Sequence, residues 1–182
     1  ESSVFSRRVE NWIIWLPGQT YWSPQNIMEV WSRGLETNTR ISFLMNDFLL
    51  QADLQTSYVV STNEKEKSPN DLSVGKQLIY VPMYSGNAKF TLHYKKVSLS
   101  YLHSYTGYRY TTSDNSDFLD PYQIGGLFAS CYFKVHSFRG DLFFQANNLF
   151  KEKYIIIQNR PMPLSQFKVG VTIQFHKPKP RS

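Results

Sequence analysis

The segment Phe167-Lys168-Val169-Gly170-Val171-Thr172-Ile173-Gln174-Phe175 alternates between large apolar residues and small or polar ones. Successive side chains of a β-strand point to opposite faces of the sheet. The odd-numbered residues of this segment therefore form an apolar face, and the even-numbered residues form a polar face. The spacing predicts a β-strand that separates two different environments.

The same two-residue period recurs upstream, whereas the 3.6-residue period of an amphipathic helix is nearly absent. Leu50, Leu54 and Tyr58, for example, alternate with Gln51 and Asp53. Several further strands are therefore predicted. Their alternating faces comprise Leu127, Ala129, Cys131, Phe133 and Val135 in one segment, and Ser32, Gly34, Glu36, Asn38, Arg40 and Ser42 opposite Leu35, Ile41 and Phe43 in another.

The connections between these segments come in two sizes that alternate along the chain. Short polar turns are predicted at 45–47, 95–96 and 137–140. Longer links, around 17–25, 62–76, 111–120 and 151–164, carry most of the Pro, Asn, Asp and Ser residues that favour irregular backbone. The strands are predicted at 3–15, 27–45, 48–61, 77–95, 97–111, 121–136, 140–157 and 163–175.

Long strands that are joined by short turns at one end and long loops at the other are typical of an outer-membrane barrel. Aromatic residues also gather near the strand ends, as in the girdles of such barrels. We therefore predict an all-β protein, an antiparallel transmembrane β-barrel meander of about eight strands. Residues 1–175 supply the strands, and residues 176–182 form a basic, proline-rich tail. The alternative is a soluble β-sandwich with an aromatic core.

Composition narrows the function classes. Aromatic residues make up 16% of the 182 residues and charged residues only 19%, and no apolar run is long enough for a transmembrane helix. The single cysteine and the four scattered histidines give no metal-ligand spacing, and no nucleophile elbow or phosphate loop occurs. The net charge of +6 comes without a nucleic-acid recognition element. We predict no enzyme activity, no cofactor, no metal site and no nucleic-acid partner.

Longer motifs resemble one known family. Trp22-Ser23-Pro24-Gln25-Asn26, followed by Gly34-Leu35-Glu36, is similar to the Trp-x-Pro-x-Asn loop and Gly-Leu-Glu strand start of TonB-dependent outer-membrane receptors. Tyr80-Val81-Pro82 resembles that family's Tyr-x-Pro motif, and Asn148-Leu149-Phe150 resembles its Asn-Leu-Phe motif. The segment from Arg160 to Phe175 resembles its closing strand. These motifs occur in the family's order over nearly the whole chain.

The resemblance implies the C-terminal arc of a barrel of about 22 strands, plugged by an N-terminal domain. It implies uptake of a scarce solute across the bacterial outer membrane, such as an iron chelate (siderophore), haem, cobalamin or an oligosaccharide. The implied partners are outer-membrane lipid and, through the missing N-terminal part, the TonB energy-coupling protein. The motif residues themselves are interpreted as barrel-building and not as ligand contacts. One departure is that seven residues follow Phe175, where such barrels usually end.

Five aromatic residues in or beside the predicted loops are candidate ligand contacts: Tyr21, Trp22, Tyr80, Tyr108 and Tyr110. Rings of this kind stack on planar or sugar-like ligands. Two rival hypotheses remain. One is a complete small eight-stranded membrane barrel with a structural or adhesive role, whose first and last strands would pair with each other. The other is a soluble lipocalin-like binding barrel with apolar residues inside.

Overall fold

The computed structural model describes residues 1–17, 21–135 and 138–175, with the backbone alone for Leu16, Pro17, Gln25, Met28 and Phe175. Eight strands form one antiparallel sheet in the order β1-β2-β3-β4-β5-β8-β9-β12, and the pairs β6–β7 and β10–β11 stand apart from it. The predicted antiparallel meander of about eight strands is confirmed. The twelve strands are β1 (Ser2–Pro17), β2 (Trp22–Met45), β3 (Phe48–Asn63), β4 (Tyr84–Tyr94), β5 (Val97–Thr106), β6 (Arg109–Tyr110), β7 (Phe118–Leu119), β8 (Tyr122–Val135), β9 (Phe138–Asn147), β10 (Ile155–Ile157), β11 (Arg160–Pro161) and β12 (Gln166–Phe175).

Several strand boundaries differ from the prediction. The strand predicted to start at residue 77 starts at Tyr84, and the one predicted to end at 157 ends at Asn147. Tyr80 and Asn148 have φ angles of 58° and 50°, in the left-handed region, which interrupts extended backbone. β5 ends at Thr106 because the following residues turn away and pair with β7. Conversely, β1 and β2 occupy most of the link that was predicted at 17–25.

Two of the predicted short turns are confirmed. Asn46 and Lys95 open the two-residue connections β2–β3 and β4–β5 with φ angles of 53° and 51°, as tight hairpins require. The third was placed wrongly, because Phe138, Arg139 and Gly140 already lie in β9; the remaining residue of that predicted turn lies outside the described part, as does the basic tail. We call the end of the strands at which these short turns lie the turn end, and the opposite end of the strands the loop end.

The strand register sorts the two faces of the sheet. A row of directly paired residues crosses seven strands from β2 to β12 and is apolar throughout, and the adjacent row, on the opposite face, is largely polar. We call these the apolar face and the polar face. The apolar row is Phe43, Leu50, Leu92, Leu99, Ala129, Phe144 and Val169; the other row is Ser42, Gln51, Thr91, Ser100, Phe128, Gln145 and Lys168.

The sheet has almost no interior of its own. Among the described residues, the hydrophobic side chains that are buried are Val30, Leu78, Ile79 and Ala146, whereas the apolar face stays open. An exposed apolar surface of this size requires a cover such as lipid. β1 and β12 do not pair with each other within the described residues, so the sheet is open. The rival hypothesis of a complete small barrel predicted that pairing.

Among the described residues, no helix is long and apolar enough to cross a bilayer.

Candidate functional site at the loop end

Three long connections meet at the loop end: residues 64–83 between β3 and β4, 107–121 between β5 and β8, and 148–165 between β9 and β12. The first of these stays close to β3, because Leu78 donates its backbone N–H to Ser61 at 2.8 Å. The side chain of Gln77, which is buried, accepts a hydrogen bond from the Ser61 N–H at 2.9 Å. Residues 77–79 thus occupy the position beside β3 that β4 takes farther down.

The structure brings four of the five predicted ligand contacts together. The rings of Trp22 and Tyr80 lie 5.7 Å apart, and those of Tyr108 and Tyr110 lie 5.4 Å apart at an interplanar angle of 79°. The two pairs are joined because the Tyr80 N–H donates to the Tyr110 carbonyl at 2.8 Å. We call Trp22, Tyr80, Tyr108 and Tyr110 the aromatic cluster. Tyr21 lies next to it in sequence, with 75% of its surface exposed.

Tyr108 contacts two aromatic rings, those of Tyr110 and Phe118. A hydrogen bond with the Tyr110 side chain raises the pKa of Tyr108, and burial and the neighbouring tyrosines Tyr84 and Tyr58 raise it further. The Tyr108 ring also meets Phe118 edge-on at 6.0 Å. Tyr108 therefore keeps its proton well above neutral pH and presents a neutral hydroxyl together with an apolar ring.

Arg109 joins two of the loops, and the sequence pattern did not predict this. The side chain is 3% exposed, and its Nη2 donates to the carbonyl of Asp120 at 3.2 Å and to that of Ile155 at 3.1 Å. Its guanidinium lies 4.9 Å from the ring centroid of Tyr122. Burial lowers the pKa of Arg109, and its Nε is the buried side-chain nitrogen that has no partner among the described residues. Residues 107–121 and 148–165 are thereby held together.

A cavity of about 140 Å³ lies next to residues 64–83. Its apolar wall includes Ile27 and Leu78, and its polar wall includes Asp71. Hydrogen bonds from the Ser73 side chain and backbone lower the pKa of Asp71, and the Lys67 backbone N–H also donates to its carboxylate at 3.0 Å. The lysines that line this cavity are Lys65, Lys67 and Lys76.

The motif residues Asn148, Leu149 and Phe150 close the end of β9. The Asn148 side chain is 3% exposed; it donates to the Glu152 carbonyl at 2.9 Å and accepts from the Glu152 N–H at 2.8 Å. Leu149 donates its backbone N–H to the Gly125 carbonyl at 2.9 Å. The Phe150 ring lies against Gly125, where a Cβ would collide with it. These contacts anchor the loop at 148–165.

The motif residues at the start of the chain lie along β2. Trp22, Pro24 and Asn26 lie near the start of β2, where this strand pairs with β1. Gly34 lies on the polar face, where the ring of Phe5 approaches so closely that a Cβ would sit 3.0 Å from it. Leu35 and Glu36 follow on opposite faces, and both are exposed. At the other end of the chain, Phe175 pairs with Phe138 through the backbone at the turn end.

No group of three or more potential metal ligands occurs within the part of the chain that the structure describes. The loop aspartates instead accept local hydrogen bonds. Asp114 accepts from Ser116 Oγ at 2.8 Å, and Asp117 accepts from the Phe118 N–H at 2.9 Å.

Comparison with known proteins points to one family. Residues 1–149 match the family model described as TonB dependent receptor-like, beta-barrel. A search of curated proteins finds no match.

Two solved structures share the fold. BauA, the ferric preacinetobactin receptor from Acinetobacter baumannii, is 12% identical with a TM-score of 0.57 and covers 94% of this chain. FyuA, the ferric yersiniabactin uptake receptor from Yersinia pestis, is 13% identical with a TM-score of 0.53 and covers 96%. In each case the chain spans 34% of the length of the solved structure.

Proposed function

Because the chain belongs to the TonB-dependent receptor β-barrel family, we propose that it forms part of a receptor that takes up a scarce solute through a plugged barrel. Proteins of this family are transport receptors of the bacterial outer membrane. The observation that carries the proposal is the family match over residues 1–149. The same residues form most of a sheet that has one apolar and one polar face. In a bilayer the apolar face meets lipid, and the polar face lines the lumen.

The proposal extends to parts of the protein beyond this chain. Its eight-stranded sheet has two open edges, which further strands of a barrel of about 22 would pair. The receptor would carry a plug domain and would be driven by the TonB energy-coupling protein. The 34% share of the two solved receptors that this chain covers is in line with such an arc.

An iron chelate is the solute class that we propose. The names of both similar structures state a ferric ligand. At 12–13% identity, what these two proteins share with this chain is the fold. The aromatic cluster adds support from this chain itself, because neighbouring aromatic rings suit a planar, partly apolar ligand. Haem, cobalamin and an oligosaccharide are the alternative solutes, and the binding titration described next distinguishes them from an iron chelate.

The test is a binding titration on the receptor that carries this chain. Tryptophan fluorescence is followed while ferric chelates, metal-free chelates, haem, cobalamin or oligosaccharides are added. Replacing Tyr80 or Tyr110 by alanine is expected to weaken binding of the ferric chelate about 2- to 13-fold each, since an aromatic contact contributes roughly 0.5–1.5 kcal/mol. Tyr94→Ala is the matched control, because this tyrosine stacks on Phe48 at the turn end.

Two results would contradict the proposal. If alanine at all five positions, Tyr21 together with the aromatic cluster, leaves the affinity unchanged, these residues are not ligand contacts. If no ferric chelate binds but another solute class does, the iron-chelate assignment is wrong while the receptor assignment stands. Failure of every solute to bind the folded receptor would count against uptake itself.

A further inference from the structure

On β1 and β2, polar and charged residues interrupt the apolar face toward the loop end. Val4 and Leu35 are directly paired, and they are 82% and 45% exposed. They are the last apolar pair before a polar and charged stretch of this face, beyond which Trp12 and Ile27 form another apolar pair. The next pairs on the same face are Ser6 with Arg33, Arg8 with Trp31, and Glu10 with Glu29.

Two arginines in this region stack on one indole ring. The Arg33 guanidinium lies 3.9 Å from the ring centroid of Trp31, and that of Arg8 lies 5.3 Å from it. Trp31 Nε1 donates to Ser6 Oγ at 2.9 Å, which fixes the ring. Arg33 Nη1 donates to Thr62 Oγ1 at 3.2 Å. We call Arg8, Trp31 and Arg33 the arginine–tryptophan cluster.

The height of the arginine–tryptophan cluster follows from the strand geometry. Arg33 lies twelve residues along β2 from Met45, which closes that strand at the turn end. With a rise of about 3.3 Å per residue and a tilt of about 45°, this places Arg33 about 28 Å above the turn end. The apolar band of an outer-membrane barrel is about 25 Å tall. The cluster therefore lies where lipid headgroups begin, a level that tryptophan also favours.

The charges on this face follow an order. The cations of the arginine–tryptophan cluster are next to the apolar band, and the carboxylates are farther from it. Arg8 contacts Glu29 at 3.5 Å, but 65% of the Arg8 side chain is exposed. Within the described residues, Arg33 has no carboxylate at ion-pair distance. The carboxylate of Glu64 accepts a hydrogen bond from the Thr62 hydroxyl. A cation at the edge of hydrocarbon needs water or an anion beside it.

We propose that the arginine–tryptophan cluster binds the phosphate of a phosphorylated lipid headgroup in the outer leaflet. Each guanidinium has five donors in a planar fork that matches phosphate oxygens in pairs. Arg8 and Arg33 each donate one hydrogen bond to described side chains, so most of their donors remain for the headgroup. The acyl chains of the same lipid would lie on Val4 and Leu35. This site faces lipid and is separate from solute uptake.

The test measures how tightly the purified receptor, in detergent, retains lipid A, a glycolipid with two phosphates. Native mass spectrometry reports the bound fraction as lipid A is titrated. Near an anionic surface, one basic residue changes the affinity about five-fold. We expect Arg8→Gln and Arg33→Gln to weaken retention about five-fold each, and the double variant about 25-fold. Arg7→Gln is the matched control, because Arg7 lies next to Arg8 on the polar face, paired with Ser32; its retention should stay within about two-fold of wild type.

Unchanged retention by the double variant, or an equal loss in Arg7→Gln, overturns the proposal. Should the arginine variants fail to fold, wild-type receptor is compared with lipid A from which both phosphates have been removed. Equal binding of the two lipids then overturns it as well. Displacement of lipid A by millimolar inorganic phosphate would show a site for a free anion and would refute the lipid assignment. Iron-chelate binding should be the same in all variants, which keeps this test independent of the uptake test.

Discussion

Asn148 is the residue whose replacement tests most directly how the loop at 148–165 is held. Its side chain is buried, and it forms two short hydrogen bonds with the backbone of Glu152, one as donor and one as acceptor. Its φ angle of 50° is one that asparagine tolerates better than alanine does. Asn148→Ala therefore removes both bonds and places an unsuitable residue in the left-handed region.

The size of the effect can be worked out from these contacts. Two net hydrogen bonds contribute about 0.5–1.5 kcal/mol each. Alanine at a left-handed position adds about 1 kcal/mol. The free energy of opening the loop should therefore fall by about 2–4 kcal/mol, which corresponds to about 30- to 1000-fold faster amide exchange in this segment. Asn148→Gly removes the bonds without the backbone cost, so its loss should be about 1 kcal/mol smaller.

The assay is hydrogen–deuterium exchange of the receptor in detergent, read by mass spectrometry on peptides from residues 148–165. Asn147→Ala is the matched control, because the neighbouring asparagine is exposed and, among the described residues, its side chain accepts a hydrogen bond only from the Gln145 side chain, at 3.0 Å. Its effect should be within about 0.5 kcal/mol of zero. An acceleration below about three-fold in Asn148→Ala, or an equal effect in the Asn147 variant, would refute this account of the loop anchor.

Three further predictions follow from the faces, the close packing and the loop charges. Val169→Lys, on the apolar face, should lower the free energy of unfolding by roughly 2–4 kcal/mol, whereas Thr172→Lys, on the polar face, should lower it by less than about 1 kcal/mol. Both are measured by urea titration of the protein in vesicles. Equal losses would contradict the assignment of the faces. Gly125→Ala should cost about 1–3 kcal/mol through its clash with the Phe150 ring, and Phe150→Ala should relieve part of that cost in the double variant; simple additivity of the two changes would show that the ring is not the cause. Because its folded-state pKa is lowered, Asp71 stabilises residues 64–83 above the ordinary carboxyl pKa of about 3.9, and this contribution is lost as the pH falls through the lower folded value. The protection of the amides in this loop, corrected at each pH for the intrinsic exchange rate, should therefore fall on acidification, and Asp71→Asn should show no such dependence.

The alternation in 167–175 was sufficient to predict β12 and its two faces, because a strand reverses its side chains at every residue. Tyr80 and Asn148 show where this reasoning failed. Both adjoin residues that suit a strand, and both leave the extended conformation where they contact residues distant in sequence. The Tyr80 N–H donates to the Tyr110 carbonyl, and the Asn148 carbonyl accepts from Ser165 Oγ. Strand existence was therefore readable from local pattern, whereas strand ends were not.

Local sequence pattern was enough to predict the architecture, through the two-residue period, the turn positions near Asn46 and Lys95, and the family motifs. The arrangement of the loop end, by contrast, could be seen only in the folded chain. Folding joined Trp22 to Tyr80 and Tyr80 to Tyr110, and it buried Arg109 between carbonyls as far apart in sequence as Ile155. The two differ in how far apart in sequence the interacting residues lie. Alternation is a property of neighbouring residues, whereas an aromatic cluster or a buried arginine depends on which distant loops the register of the sheet brings together.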